Sequence, residues 1–280
     1  VGSVPSGNLV TMTERTESAM DSRRYGPWAV ITGGSEGVGA AFARLLAEAG
    51  LNLVLIARKR DPLAATAAEC RAHGVQVRTL ATDLTEPGAI GRVVDATADI
   101  EVGLLIHNAG ANSHSRPFLD GDLTAFQRVI DLNVAVPMAL VHHFGQSMRD
   151  RRRGGILLAG SLSGNHGAMR QSVYGGAKAF VQIFAESLWV ELREHGVDVL
   201  ALVLGATRTP AMARAGLNFD VPGLVVSEPE EVAREGLAHL PHGPVRIVSG
   251  HEVQAASAAD ADRAKVVLEA HDRVRQLLNG

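Results

Sequence analysis

Trp28-Ala29-Val30-Ile31-Thr32-Gly33-Gly34-Ser35-Glu36-Gly37-Val38-Gly39 is the stretch whose reading decides the fold. A short apolar strand, 28–31, runs into a glycine-rich turn, 32–39. The turn opens a helix over 40–49 that closes on Gly50, and a second apolar strand follows in Leu51-Asn52-Leu53-Val54-Leu55-Ile56. Strand, glycine turn, helix, strand is the context that gives a glycine motif meaning. Without Cβ atoms the backbone turns tightly and comes close to a pyrophosphate. The helix N-terminus behind the turn offers unpaired N–H groups and partial positive charge.

Working outward, apolar runs and amphipathic helices alternate from Trp28 to about Leu240. Strands are expected near 28–32, 51–57, 75–80, 102–107, 155–160, 197–203 and 244–248. Helices are expected near 38–49, 61–73, 86–98, 122–150, 172–195, 229–239 and 260–278. This alternation predicts an α/β fold, one doubly wound domain on a parallel sheet with right-handed crossovers. Asp61-Pro62 reads as an N-cap followed by proline at the first helical position. Ser227-Glu228-Pro229-Glu230 resembles a capping box. The polar stretch 1–24 reads as a leader, and 25–280 as the single catalytic domain.

Composition narrows the function classes. The chain has 280 residues, 46% apolar, with a net charge of −3. That balance gives no reason to invoke nucleic acid or an anionic membrane surface. No apolar run approaches the roughly 20 residues of a membrane span, and the leader lacks an apolar secretory core. A single cysteine, Cys70, excludes an internal disulfide, suits a reducing cytoplasm, and sits in a helical segment as a packing residue. The basic run Arg149, Arg151-Arg152-Arg153 reads as a helix-end charge cluster in a solvated loop. The histidines show no metal-ligand spacing, so no metal is expected.

The chemistry is expected in the middle of the chain. Tyr174 and Lys178, in Tyr174-Gly175-Gly176-Ala177-Lys178, are four apart on a helix and share one face. A free phenol loses its proton near pH 10. A cation held beside it favours the phenolate and lowers that value. Upstream, Ser161 follows the apolar run Ile156-Leu157-Leu158. That puts it at the carboxyl end of a strand, where open α/β sheets place their ligands.

Thr-Gly-x-x-x-Gly-x-Gly at 32–39, Asn108-Ala109-Gly110, Ser161 and Tyr174-x-x-x-Lys178 together resemble the single-domain branch of the short-chain dehydrogenase/reductase family, over about Trp28 to Val248. The resemblance implies a Rossmann fold with a seven-stranded parallel sheet in the order 3-2-1-4-5-6-7. It implies reversible hydride transfer between a nicotinamide and a carbonyl or secondary alcohol. Tyr174 would be general acid or base, Lys178 the cation that tunes it and binds the ribose, Ser161 the donor to the substrate oxygen, and Asn133 the link of a proton path to solvent. Thr32, Gly33, Ser35, Gly37, Val38 and Gly39 would cradle the cofactor phosphates. Asp83 and Leu84 would meet the adenine, and Asn108, Ala109 and Gly110 would line the cofactor. Gly205, Thr207 and Thr209 would face the nicotinamide, and 207–227 would close over substrate as a lid. Self-association as a homodimer or homotetramer, through the helices at 122–150 and 172–195, follows from the same resemblance.

The end of the second strand speaks to the choice of cofactor. It reads Leu55-Ile56-Ala57-Arg58-Lys59-Arg60, with no acid to bond a ribose 2′-hydroxyl and with cations to grip a 2′-phosphate. NADP(H) is therefore expected over NAD(H), with Arg58 as the phosphate ligand. Glu36, where the family often carries a basic residue, works against that preference. The chain also departs from the family in Gly176-Ala177 before the lysine, in His107 before Asn108, and in Leu204-Gly205 where Pro-Gly is common. The substrate stays open between a 3-oxoacyl group, a steroid ketone and a small secondary alcohol. A cofactor-binding sensor that has abandoned catalysis is the rival from another class.

Overall fold

The computed structural model describes residues 20–260 and 262–279, so most of the expected leader lies outside the described residues. A one-turn helix α1 (Ser22–Tyr25) precedes β1 (Trp28–Thr32), α2 (Gly37–Glu48), β2 (Asn52–Ala57), α3 (Arg60–Arg71), β3 (Val77–Ala81), α4 (Ala89–Thr97) and β4 (Val102–His107). Then come α5 (Leu123–Ile130), α6 (Val136–Asp150), β5 (Gly154–Ser161), α7 (Ser172–Leu192), β6 (Val197–Leu204), α8 (Pro210–Arg214), α9 (Pro229–His239), β7 (Val245–Ile247), α10 (Glu252–Ser257) and α11 (Arg263–Asn279). The strands form one parallel sheet in the order β3-β2-β1-β4-β5-β6-β7.

Both faces of the sheet are covered, which is why its central strands are apolar at every position rather than at alternate ones. Alternate residues of β1 point to opposite faces. Ala29 and Ile31 join Phe42, Leu46, Leu63, Cys70 and Val232 on the face covered by α2, α3 and α9. Trp28 and Val30 join Val93, Leu140, Phe144, Val181 and Ala185 on the face covered by α4, α6 and α7. Because β2 and β4 flank β1 on opposite sides, the chain reverses direction across the sheet there, and a crevice opens beyond the strand ends.

Several local expectations are corrected by the structure. Helix α3 starts at Arg60, with Lys59 at its N-cap, so Asp61 is a first-turn acid rather than the cap. Ser227 makes no capping box for α9. Its hydroxyl pairs with His251 Nε2 at 3.0 Å, and its backbone bridges Thr207. The basic run is not simply solvated. Arg151 donates to the Val102 carbonyl and Arg153 pairs with Glu101, tying the end of α6 to the start of β4. The helix expected over 122–150 contains a π-turn, Asp131–Ala135, between α5 and α6.

Within Leu123–Asp150 an 18-residue window has a mean hydropathy of 1.2, enough by length and composition to cross a bilayer, contrary to the expectation that no segment approaches that size. Its apolar character has a local cause: Phe126, Val129, Leu140, Phe144 and Met148 are buried against the rest of the fold.

The end of the polar stretch belongs to the fold. Met20 packs on the core, and Tyr25 is 1% exposed with its hydroxyl 2.5 Å from Asp198 Oδ2. Gly155 makes room for the ring, since a Cβ there would lie 2.8 Å from Tyr25 Cε1. Tyr25→Phe therefore leaves the ring packed and deletes one charge-assisted hydrogen bond. We expect a loss of about 1–3 kcal/mol in chemical denaturation, and a loss below about 0.5 kcal/mol would count against this role.

Candidate active site

The crevice beyond β1 and β4 is a cleft of about 360 Å³ running from Arg58, Lys59 and Asp83 past the glycine turn to Ser161, Tyr174 and Lys178. Sixteen of the nineteen expected site residues line it. Thr32, Gly39 and Asn133 stand behind the lining.

The glycine turn is built by close approach. Gly33 has φ +71, and a Cβ there would lie 2.9 Å from Asn108 Nδ2 and 3.0 Å from the Ala109 nitrogen. A Cβ on Gly39 would strike the Gly33 carbonyl oxygen and lie 2.7 Å from Asn108 Nδ2. Asn108 Nδ2 donates to the Gly33 carbonyl at 3.2 Å, locking the turn to the end of β4. The first turn of α2 has no side-chain cap, so its N–H groups are free for an anion.

Thr32 and His107 hold this frame from below. Thr32 Oγ1 accepts from the Ala109 N–H at 3.1 Å and lies 3.0 Å from His107 Nδ1. Burial pushes the His107 pKa down to about 3, so the ring is neutral. Thr32 Oγ1 and His107 Nδ1 share one hydrogen bond whose direction is set by the tautomer of the neutral ring. Sequence reading noted His107 only as a departure. Its neighbour across the sheet, Thr32, becomes visible through the parallel register that pairs the two residues.

At the other end, Ser161 closes β5 and its Oγ accepts from the Ser163 N–H at 3.2 Å. The turn Leu162–Gly164 packs on α7 because Gly164 and Gly175 lack side chains: a Cβ on Gly175 would lie 2.8 Å from the Ser163 carbonyl oxygen. This docking brings the Ser161 hydroxyl near the Tyr174 phenol, where it favours the phenolate. Lys178, 4% exposed, donates to the Ala159 carbonyl at 2.8 Å, with its nitrogen 5.7 Å from the centre of the Tyr174 ring.

The electrostatics differ from the simple expectation. Burial pushes the Tyr174 phenol up, opposed by the Ser161 hydrogen bond. Burial also pushes Lys178 down to about 8. The ammonium is directed at a backbone carbonyl rather than at the phenol oxygen, so desolvation dominates the phenol and keeps it protonated at neutral pH.

Asn133 is 1% exposed, which excludes a surface role. The π-turn places it, and its Nδ2 donates to Val129 and Ala111 carbonyls at 2.9 and 3.2 Å. A Cβ on Gly110 would lie 2.7 Å from Asn133 Oδ1 and 2.8 Å from Lys178 Nζ, so both groups converge on the bare backbone at Gly110. Asn133 Oδ1 is buried with no partner among the described residues.

The remaining expected residues divide. Asp83 Oδ1 accepts from Thr85 at 2.7 Å, and Oδ2 faces Arg128 at 3.4 Å and Arg58 at 3.9 Å. Thr207 Oγ1 bonds the Gly205 carbonyl, and Thr209 Oγ1 caps α8 by accepting from the Met212 N–H. The Thr209 hydroxyl is therefore engaged within its own loop. Gly205 has a reason that sequence did not disclose: the His251 ring occupies the space its Cβ would fill. No group of three or more His, Cys, Asp or Glu side chains forms a metal cluster among the described residues.

A nicotinamide dinucleotide fits these residues. The glycine turn leaves backbone room, the uncapped helix offers donors, and Lys178 and Asn133 Oδ1 are polar groups at the far end with capacity to spare. Residues 27–218 match the family model described as short chain dehydrogenase. A very-long-chain 3-oxoacyl-CoA reductase of Podospora anserina is 34% identical over 232 residues, covering 80% of this chain and 66% of that protein. This chain therefore spans about two thirds of the length of that relative. A 7beta-hydroxysteroid dehydrogenase of Collinsella aerofaciens is 30% identical over 221 residues, covering 78% and 84%. A solved short-chain dehydrogenase from Sphingobium yanoikuyae in complex with NADPH has a TM-score of 0.75 at 33% identity, covering 86% of this chain and 94% of that one.

Proposed function

The chain belongs to the short-chain dehydrogenase family, and from that premise we propose that it is an NADP(H)-dependent oxidoreductase interconverting a bulky ketone and its secondary alcohol. The observation that carries this reading is the meeting of Ser161, Tyr174 and Lys178 at one end of a cleft that runs past the glycine turn. A sensor without catalysis would have no need to keep those three groups together. When bound, the nicotinamide supplies or accepts a hydride at the carbonyl carbon.

The residues handle everything else. Ser161 Oγ accepts from the Ser163 N–H, and its own proton, which faces the phenol, turns to the substrate oxygen when substrate enters. Tyr174 Oη gives that oxygen its proton in reduction, and the raised phenol pKa suits it to the acid role. Lys178 Nζ supplies positive charge as the phenol oxygen becomes anionic, and Asn133 Oδ1 offers a site through which a water returns the proton. Arg58 and Lys59 line the adenosine end with no acid at the close of β2, which favours NADP(H). A bulky 3-oxoacyl thioester or steroid ketone is the substrate class suggested by the relatives. Exposed Leu123, Met138, Ile183 and Val190 on α5, α6 and α7 support self-association through those helices.

The test is NADPH oxidation across a panel of neutral ketones, 3-oxoacyl thioesters and keto-steroids, followed by a pH profile. Lys178 is charged below its pKa of about 8 and loses that charge as pH rises through it. We expect kcat/KM for reduction to be level below pH 8 and to fall above it. Binding of NADPH without turnover on any member of the panel would overturn the catalytic reading in favour of the sensor.

A further inference from the structure

Glu36 occupies the worst place for an acid in an NADP(H) site, and the structure shows what neutralises it. Its carboxylate forms a two-pronged pair with Arg214 of α8, with Arg214 Nη1 3.1 Å from Oε2 and Nη2 on Oε1. Lys59 Nζ lies 3.7 Å from the same carboxylate. The two partners are far apart in sequence: Glu36 lies within the glycine turn, and Arg214 lies in the expected lid, 207–227.

The pair is not a chance meeting of surface charges. Thr209, at the start of α8, packs on the glycine turn, where an ideal Cβ on Gly37 would lie 2.9 Å from Thr209 Cγ2. The base of the lid is closed by Ser227 N–H to the Ala206 carbonyl and Arg208 N–H to the Ser227 carbonyl, both 2.9 Å. Helix α8 is thus docked on the turn by packing as well as by charge. Glu36, Arg58, Lys59, Asp83 and Arg214 all line the same end of the cleft.

Resting on the NADP(H) reading above, we propose that Arg214 is a specificity-determining residue for the ribose 2′-phosphate, presented by the lid and held in place by Glu36. The guanidinium has five N–H donors, and the pair with Glu36 engages only two of them. The others are free for a phosphate oxygen, so the phosphate adds to the pair and does not have to break it. Arg214 also cancels the repulsion that a bare Glu36 would exert on a dianion. Arg58, Lys59 and Arg214 then outnumber Glu36 and Asp83 at this end. The basic side chain that the glycine turn lacks is supplied from the lid, and reading the phosphate and holding the lid down become one event.

The experiment compares Arg214→Gln with the wild type by isothermal titration of NADPH, NADH, 2′,5′-ADP and 5′-AMP. Arg214 is half exposed, so the variant folds, and its affinity for NADH reports that directly. We expect Kd for NADPH and 2′,5′-ADP to rise at least tenfold, with NADH and 5′-AMP within twofold of wild type. Hydrogen exchange over 207–227 should slow on adding 2′,5′-ADP to the wild type and remain unchanged in the variant. An equal loss for NADH and NADPH, or no loss for either, overturns the proposal. Binding is read without turnover, so a failure of the catalytic reading and a failure here are separate results.

Discussion

Tyr174→Phe binds NADPH as tightly as the wild type and turns over ketone about 10³-fold more slowly, within the range for loss of a positioned general acid. The ring keeps its place because phenylalanine fills the same volume on α7. Ser161 Oγ keeps its bond from the Ser163 N–H, and Lys178 keeps its bond to the Ala159 carbonyl. What disappears is the one hydroxyl beside Ser161 whose proton can reach the substrate oxygen. The loss should fall on kcat and kcat/KM alike, since the interaction belongs to the transition state. Cofactor fluorescence titration and steady-state kinetics check it. Turnover within tenfold of wild type would end the proposed role of Tyr174 and leave the fold assignment untouched.

Gly39→Ala abolishes useful cofactor binding, with Kd for NADPH rising at least about 100-fold, a loss of roughly 2.7 kcal/mol or more. The new methyl group would fall on the Gly33 carbonyl oxygen and within 2.7 Å of Asn108 Nδ2. Neither neighbour can give way cheaply. The turn is fixed by Gly33 N–H to the Ile56 carbonyl at 2.7 Å, and Asn108 is itself bonded to the Gly33 carbonyl. Relief requires α2 to move off the turn, which takes its free N–H groups away from the phosphates. Gly91→Ala is the control. It lies exposed in α4 with nothing within 4 Å of an added Cβ, so a gain of about 0.5–1 kcal/mol in stability is expected. Equal behaviour of the two variants in cofactor titration would refute the steric argument.

How far the sequence reached depended on the range of the interaction concerned. Strand and helix positions were legible because burial on both faces of a sheet imposes continuous apolar runs, and the seven strands fall where those runs lie. The glycine turn and the Tyr174–Lys178 pair were legible because each is a local pattern at fixed spacing. The cap at Asp61 failed because α3 begins at Arg60, behind Lys59, and the capping box at Ser227 failed because local capping competes with distant partners. Ser227 gave its hydroxyl to His251, across the lid base. Asn133 was recognised as a mid-helix polar residue, whereas the π-turn that aims it was not, since that turn packs on α7, which is distant in the chain. The phenol's acidity was misjudged because helix spacing puts a cation nearby without saying that the cation faces Ala159, or how dry the site is.

The sequence by itself determined the parallel, doubly wound sheet, the cofactor turn and the identity of the Ser, Tyr and Lys that meet there, because period and motif are properties of neighbouring residues. Only the tertiary structure decided the charge state of Tyr174 and Lys178, the support of Thr32 by His107, and the pairing of Glu36 with Arg214. Each of those rests on desolvation or on contact between segments distant in the chain, and neither quantity is written in local order.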